Sequence, residues 1–179
     1  MRLNYQQWIG GVCLLLLLLS GCANYPKNIK PIMDFNKERF QGRWYEVARL
    51  ANALEQDFVD VTASYTLNDN GDFNVVFRNR HARTGEETEI ESVVGFKKKA
   101  HIGHFKASIF WPFYLSFILY EVDPDYQYAF LCSASGNEFW LLARTPRVSE
   151  QVINKFKESV SKRGYPLEQL LIVDQASDK

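Results

Sequence analysis

The chain has 179 residues in which 21 Lys and Arg balance 21 Asp and Glu, leaving no formal net charge at pH 7. That balance offers no basic face for a nucleic acid, and the length suits one domain with a sizeable core. The cysteines stand at 13, 22 and 132; the first two fall in or beside the N-terminal leader, so Cys132 has no partner for an intrachain disulfide.

Residues 1–21 read as a secretory signal: Met1-Arg2 supplies the basic start, Val12 to Leu19 the apolar run, and Ser20-Gly21 the small residues at the cut. The run is too short to span a bilayer well. Cys22 directly after Ser20-Gly21 resembles the lipobox of bacterial lipoproteins, in which cleavage precedes a cysteine that becomes diacylated. The resemblance implies lipidation of Cys22 and durable attachment to a membrane, since several acyl chains anchor firmly where one does not. Ala23 follows, where Asp commonly retains such proteins at the inner membrane. The resemblance therefore implies the periplasmic face of the outer membrane of a Gram-negative bacterium. Residues 22–34, with Pro26 and Pro31 and no periodicity, read as a lipidated tether to a domain at 35–179.

From Arg43 onward the apolar period is two. Trp44 to Leu50 reads as a first strand, and Val61 to Leu67, the turn Asn68-Asp69-Asn70-Gly71 and Phe73 to Phe77 read as a hairpin. Strands are predicted at Thr88 to Phe96, Gly103 to Phe110, Leu115 to Val122, Gln127 to Cys132 and Glu138 to Ala143, making eight. Short antiparallel strands at such spacing indicate a sandwich or barrel. After Pro146, with Ser149 as N-cap, Val152, Ile153, Phe156 and Val160 recur at helical spacing until Gly164 and Pro166 end the pattern. That stripe must pack outside the sheet. Leu170 to Val173 reads as a final short strand.

Three motifs then point to a family. Gly42-Arg43-Trp44 at the first strand, Asp123-Pro124-Asp125-Tyr126 before the seventh, and Arg144-Thr145-Pro146 after the eighth resemble the three lipocalin motifs, in order. Gly42 to Arg49, Val61 to Tyr65, Phe139 to Pro146 and the lipobox are most similar to bacterial outer-membrane lipocalins, the group nearest apolipoprotein D. The resemblance implies an eight-stranded up-and-down antiparallel β-barrel with one C-terminal α-helix on its outside. It gives Gly42, Trp44, Asp125, Tyr126 and Arg144 structural roles. Arg144 over the Trp44 ring in a dry site would contribute roughly 1–2 kcal/mol and close one end.

An eight-stranded barrel is either filled by side chains or holds one small ligand. With Trp44 and Arg144 inward, alternation turns Glu46, Ala48, Trp140 and Leu142 inward too. On the other strands it selects Val61, Ala63 and Tyr65; Val75 and Phe77; Ile90, Ser92 and Val94; Phe105 and Ala107; and Phe117 and Leu119. The small residues among them favour an apolar cavity over a filled core. Its mouth is expected at the loops after the odd strands, with Phe58 as a lid. Trp111 and Phe113 belong to an apolar hairpin tip that would dip into lipid, meet a second subunit, fold over the ligand or bury against its neighbours. Dimerisation is left open.

The family resemblance implies binding of fatty acids or lysophospholipids and their storage or carriage during envelope maintenance or stress. Arg78, Arg80, His81 and Arg83 could meet a phosphate or carboxylate at the mouth. The alternatives are a carrier of haem or pigment, with Tyr65 as a candidate haem ligand, and a lipocalin-type enzyme. No catalytic motif supports the enzyme. His101-x-x-His104 has metal-like spacing but falls in a turn, Cys132 reads as a small buried apolar residue, and no metal or cofactor is expected. Lys97-Lys98-Lys99 is placed at the closed end, taken also as the end from which the tether leaves.

Overall fold

The computed structural model describes residues 25–26, 28–50, 55–97, 99–110 and 113–175, with only the backbone of 109, 110 and 113. The leader, Cys22, Trp111 and the side chain of Phe113 lie outside the described residues. Eight antiparallel strands follow in chain order: β1 Gly42–Leu50, β2 Phe58–Leu67, β3 Phe73–His81, β4 Glu87–Phe96, β5 His104–Phe110, β6 Phe113–Val122, β7 Tyr128–Ser133 and β8 Phe139–Ala143. Each pairs with the next, and β1 pairs with both β8 and β2, so the sheet closes on itself. The eight expected strands are therefore present as an up-and-down barrel.

Helix α2, Glu150–Ser161, lies outside. Ser149 occupies its N-cap position in an extended conformation without a side-chain cap bond. The buried stripe of Phe156 and Val160 explains why it docks: Phe156 packs edge-on to Phe130 at 5.1 Å between ring centroids. Fully burying either residue contributes about 2 kcal/mol. The barrel wall thus separates an inner cluster, with Trp44, Tyr65, Phe73, Phe105 and Trp140, from an outer one with Val47, Phe130, Cys132, Phe139 and Phe156.

The final short strand expected at Leu170 to Val173 is present, but three features of the arrangement were not read from the sequence. A short helix α1, Lys37–Phe40, capped by the Asn36 side chain, drives Phe40 into the barrel base beside Phe35. Second, β1 meets β2 only over Gly42 to Tyr45. Above that, the final strand β9, Leu170–Ile172, pairs with Ala48 to Leu50, and Gln175 Nε2 donates to the carbonyls of Glu46 and Val61, stitching the two strands. Third, the segment before α1 does not simply leave by the closed end. Ile32 bonds the Leu119 and Gly103 backbone, Ile29 joins the outer cluster, and Pro26 lies against Gly136 in the β7–β8 turn at the opposite end from Trp44. Apolar burial of Ile29 on the barrel wall carries the chain from base to mouth.

Candidate functional site: an apolar cavity with a charged rim

The three motifs converge to close the base. Arg144 lies 3.8 Å over the Trp44 ring and donates to the carbonyls of Arg43, Arg39 and Tyr126. Trp44 Nε1 donates to the Phe40 carbonyl at 2.7 Å. Gly42 takes φ +94°, a conformation that strains any residue with a side chain, and a Cβ there would stand 3.3 Å from Arg144 Nη1. Tyr126, also at positive φ, accepts from the Asn36 amide through its hydroxyl and stacks beneath Arg39. The turn before β7 is held by the Asp123 carboxylate, which accepts from the Asp125 and Gln127 amides, while Asp125 itself is exposed.

Above the base lies a cavity of about 280 Å³. Of the residues selected by alternation, Val61, Ala63, Tyr65, Phe77, Ile90, Val94, Phe105, Phe117, Trp140 and Leu142 line it, and so does Phe58. Val75, Ala107 and Leu119 face the interior but are sealed in the inner cluster without lining the space, because Phe35 and Phe40 fill the lower barrel. Ser92, also expected inward, donates instead to the Ser108 carbonyl where β4 and β5 cease to pair. Leu131 on β7 lines the cavity and was not singled out.

Ala48 is a correction. A β-bulge between Glu46 and Ala48, opposite Leu142 and Leu141, inserts one residue into β1 and reverses its alternation. Ala48 therefore falls in the outer cluster, and Arg49 turns into the cavity in its place. The sequence held one hint: an arginine in an otherwise apolar run, with acids at 46 and 55.

Those acids surround it. Arg49 is 2% exposed; its Nη1 donates to Glu46 Oε1 at 2.6 Å, and its Nη2 to the carbonyls of Glu55 and Phe58. Burial pushes the Glu46 carboxyl up to about 7 despite the Arg49 guanidinium, and burial also raises Glu55. Glu46, Arg49, Glu55, Arg78 and Asn79 form a polar rim above hydrophobic walls. The bases expected to greet an anion are already engaged: Arg78 with Glu89, Arg80 with Asp60, and Arg83 with Asp57, which His81 also faces at 3.9 Å.

The remaining candidates lie apart from the cavity. Cys132 is buried in the outer cluster, where desolvation pushes its thiol up to about 12. His104 is buried with Nε2 2.9 Å from Ser116 Oγ, while His101 is exposed. Tyr65 is packed between Phe40 and Phe73, and burial raises its hydroxyl, which opposes phenolate ligation of haem iron.

A closed calyx with a plugged base and an open apolar lumen defines a protein that encloses small hydrophobic molecules. The Lipocalin-like domain family matches residues 35–175. The chain is 37% identical over 160 residues to outer membrane lipoprotein Blc of Vibrio cholerae, covering 89% of this chain and 94% of that protein. It is 28% identical over 150 residues to the Escherichia coli protein of that name, covering 84% and 85%. Insecticyanin of Manduca sexta superposes with a TM-score of 0.67 over 84% of this chain and 86% of its own, at 18% identity. The chain belongs to the lipocalin family.

Proposed function

We propose that the protein holds a single-chain acyl lipid, a fatty acid or lysophospholipid, in the barrel while anchored through Cys22 to the outer membrane. The observation that carries this reading is the cavity itself: apolar walls from Phe77, Phe105, Phe117 and Leu142 under a polar rim, at about 280 Å³. That volume is at the small end for ligand pockets and suits one chain better than a fused-ring pigment. Each buried methylene contributes about 0.8 kcal/mol. The names of the relatives, outer membrane lipoproteins, support the location. Pro26 at the mouth-side turn adds to it: four residues back to Cys22 reach at most about 14 Å, which keeps the mouth close to the lipid surface. Binding rather than catalysis fits walls that are almost wholly hydrocarbon, and storage or carriage of envelope lipids is the corresponding role.

Native mass spectrometry of the full chain, purified without added lipid, tests the proposal. One acyl lipid per barrel is expected, lost when Ala63→Phe fills the lumen. A chain that carries no lipid and takes up neither oleate nor lysophospholipid overturns it, and a visible absorbance band would point to a pigment.

A further inference from the structure

The barrel wall is not uniformly laced. β3 meets β4 over eight rows, from Phe73 with Val94 up to Arg80 with Glu87, whereas β4 meets β5 over three: Val94 with Ala107, Gly95 with Lys106 and Phe96 with Phe105. Beyond Val94 toward the mouth the two strands share no ladder row among the described residues, although β4 extends back to Glu87 and β5 on to Phe110. A notch results, and a single side-chain bond, from Ser92 Oγ to the Ser108 carbonyl at 2.7 Å, clips its foot.

The notch has apolar borders on both faces of the wall. Of the seven large apolar side chains exposed among the described residues, four stand here: Ile90 and Val93 on β4, and Tyr114 and Leu115 on β6 beside the short end of β5. Ile90 lines the cavity and Leu115 pairs with Ala107 of the inner cluster, so both face inward, yet they are 47% and 49% exposed. Val93 and Tyr114 border a groove of about 820 Å³ on the outer wall that also reaches Ser92. Apolar surface therefore continues from the lumen through the notch to the outside, and an exposed cluster of this kind marks a place where something apolar is met. An open sheet edge also invites a further strand, but Glu87, Glu89 and Glu91 line the outer face of this one, and such charges discourage pairing. A hydrocarbon chain, which needs no backbone partner, suits the opening better.

Resting on the acyl-lipid reading above, we propose that the notch between β4 and β5 is a lateral passage by which an acyl chain enters and leaves the lumen edge-on, instead of threading end-first through the mouth. Opening it breaks one side-chain hydrogen bond, whereas parting β3 from β4 breaks a row of backbone bonds. The polar end of the lipid stays in water while the chain slides past Ile90 into the space bounded by Phe77 and Phe117.

The test separates the two routes. Glu91→Cys places a thiol on the outer edge of the notch, and Thr84→Cys places one at the hairpin between β3 and β4, beside the mouth; both positions are exposed. Each full-length variant, in phosphatidylcholine vesicles, is labelled with a maleimide bearing a polyethylene glycol chain. Stopped-flow energy transfer from tryptophan to anthroyloxy-stearate reads entry, since Trp140 lies in the lumen wall, and a chase with oleate reads exit. Blocking a path changes both rates and leaves the equilibrium where it was. The label at 91 should slow entry and exit together on the order of tenfold at unchanged affinity, and the label at 84 should leave both rates as in the unlabelled chain. Equal slowing at the two positions, slowing at 84 alone, or no slowing at either overturns the passage and leaves acyl binding standing. Failure of the unlabelled chain to take up either the probe or oleate overturns the acyl-lipid reading with it.

Discussion

Replacing Glu46 with Gln should flatten the pH dependence of stability. Its side chain is 13% exposed, and burial lifts its pKa from 4.5 to about 7 in the folded chain. An acid raised on folding holds its proton more tightly in the native state, so its contribution worsens as pH climbs from the unfolded value through the folded one, then levels off. With those two values the penalty is about 1 kcal/mol at pH 5 and about 3 kcal/mol at pH 8, a loss of about 2 kcal/mol over the interval. Glu46→Gln keeps the shape and an acceptor for Arg49 but cannot ionise. Any constant cost of leaving Arg49 less well paired shifts its stability equally at both pH values, and charge coupling to Glu55 is the smallest of the influences on Glu46. Urea unfolding followed by tryptophan fluorescence at the two pH values gives the four free energies. The wild-type chain should lose about 2 kcal/mol more than the variant between them. Parallel losses in the two proteins would show that Glu46 is not the desolvated acid this geometry requires.

Arg144→Ala should destabilise the chain by about 3 kcal/mol, since it removes the contact with Trp44 and leaves three carbonyls without their donor; a thermal melt checks this, with Arg144→Lys falling between. Gly136→Ala meets Pro26 at 2.5 Å and forces an L-residue into φ +77°, so it should cost about 1–2 kcal/mol, partly relieved by Pro26→Gly. Cys132, buried and with its thiol held up at about 12, should resist a maleimide in the folded chain and label only in denaturant, which mass spectrometry reads directly.

Strand positions and the basal lock were legible because each has a local signature. Alternation marks β2 and β3, Asn68 to Gly71 marks their turn, and the Trp44 and Arg144 motifs sit where only one end of a barrel can bring them together. The helix was legible from its stripe of Val152, Ile153, Phe156 and Val160. Helix α1 was not, since four residues carry no periodicity, and the stitching by Gln175 was not, since a partner 129 residues away leaves no local pattern. The charged rim was hidden for a sharper reason. Side-chain parity along a strand is inherited from one residue to the next, and a single bulge inverts everything beyond it.

That inversion joins the fold to the site. Without the bulge, Ala48 would face the lumen and Arg49 would point toward the outer cluster, where helix α2 packs and no carboxylate from Glu46 or Glu55 could meet it. With it, β1 supplies Trp44 to the sealed base and Glu46 and Arg49 to the rim. An acid whose ionisation burial opposes by about 3 kcal/mol above its raised pKa takes a large part of a small domain's stability. Apolar residues at 46 and 49 would seal that wall with less strain. A buried acid that weakens the fold, beside acceptors without donors among the described residues, is the pattern of a site organised around a ligand rather than around its own packing.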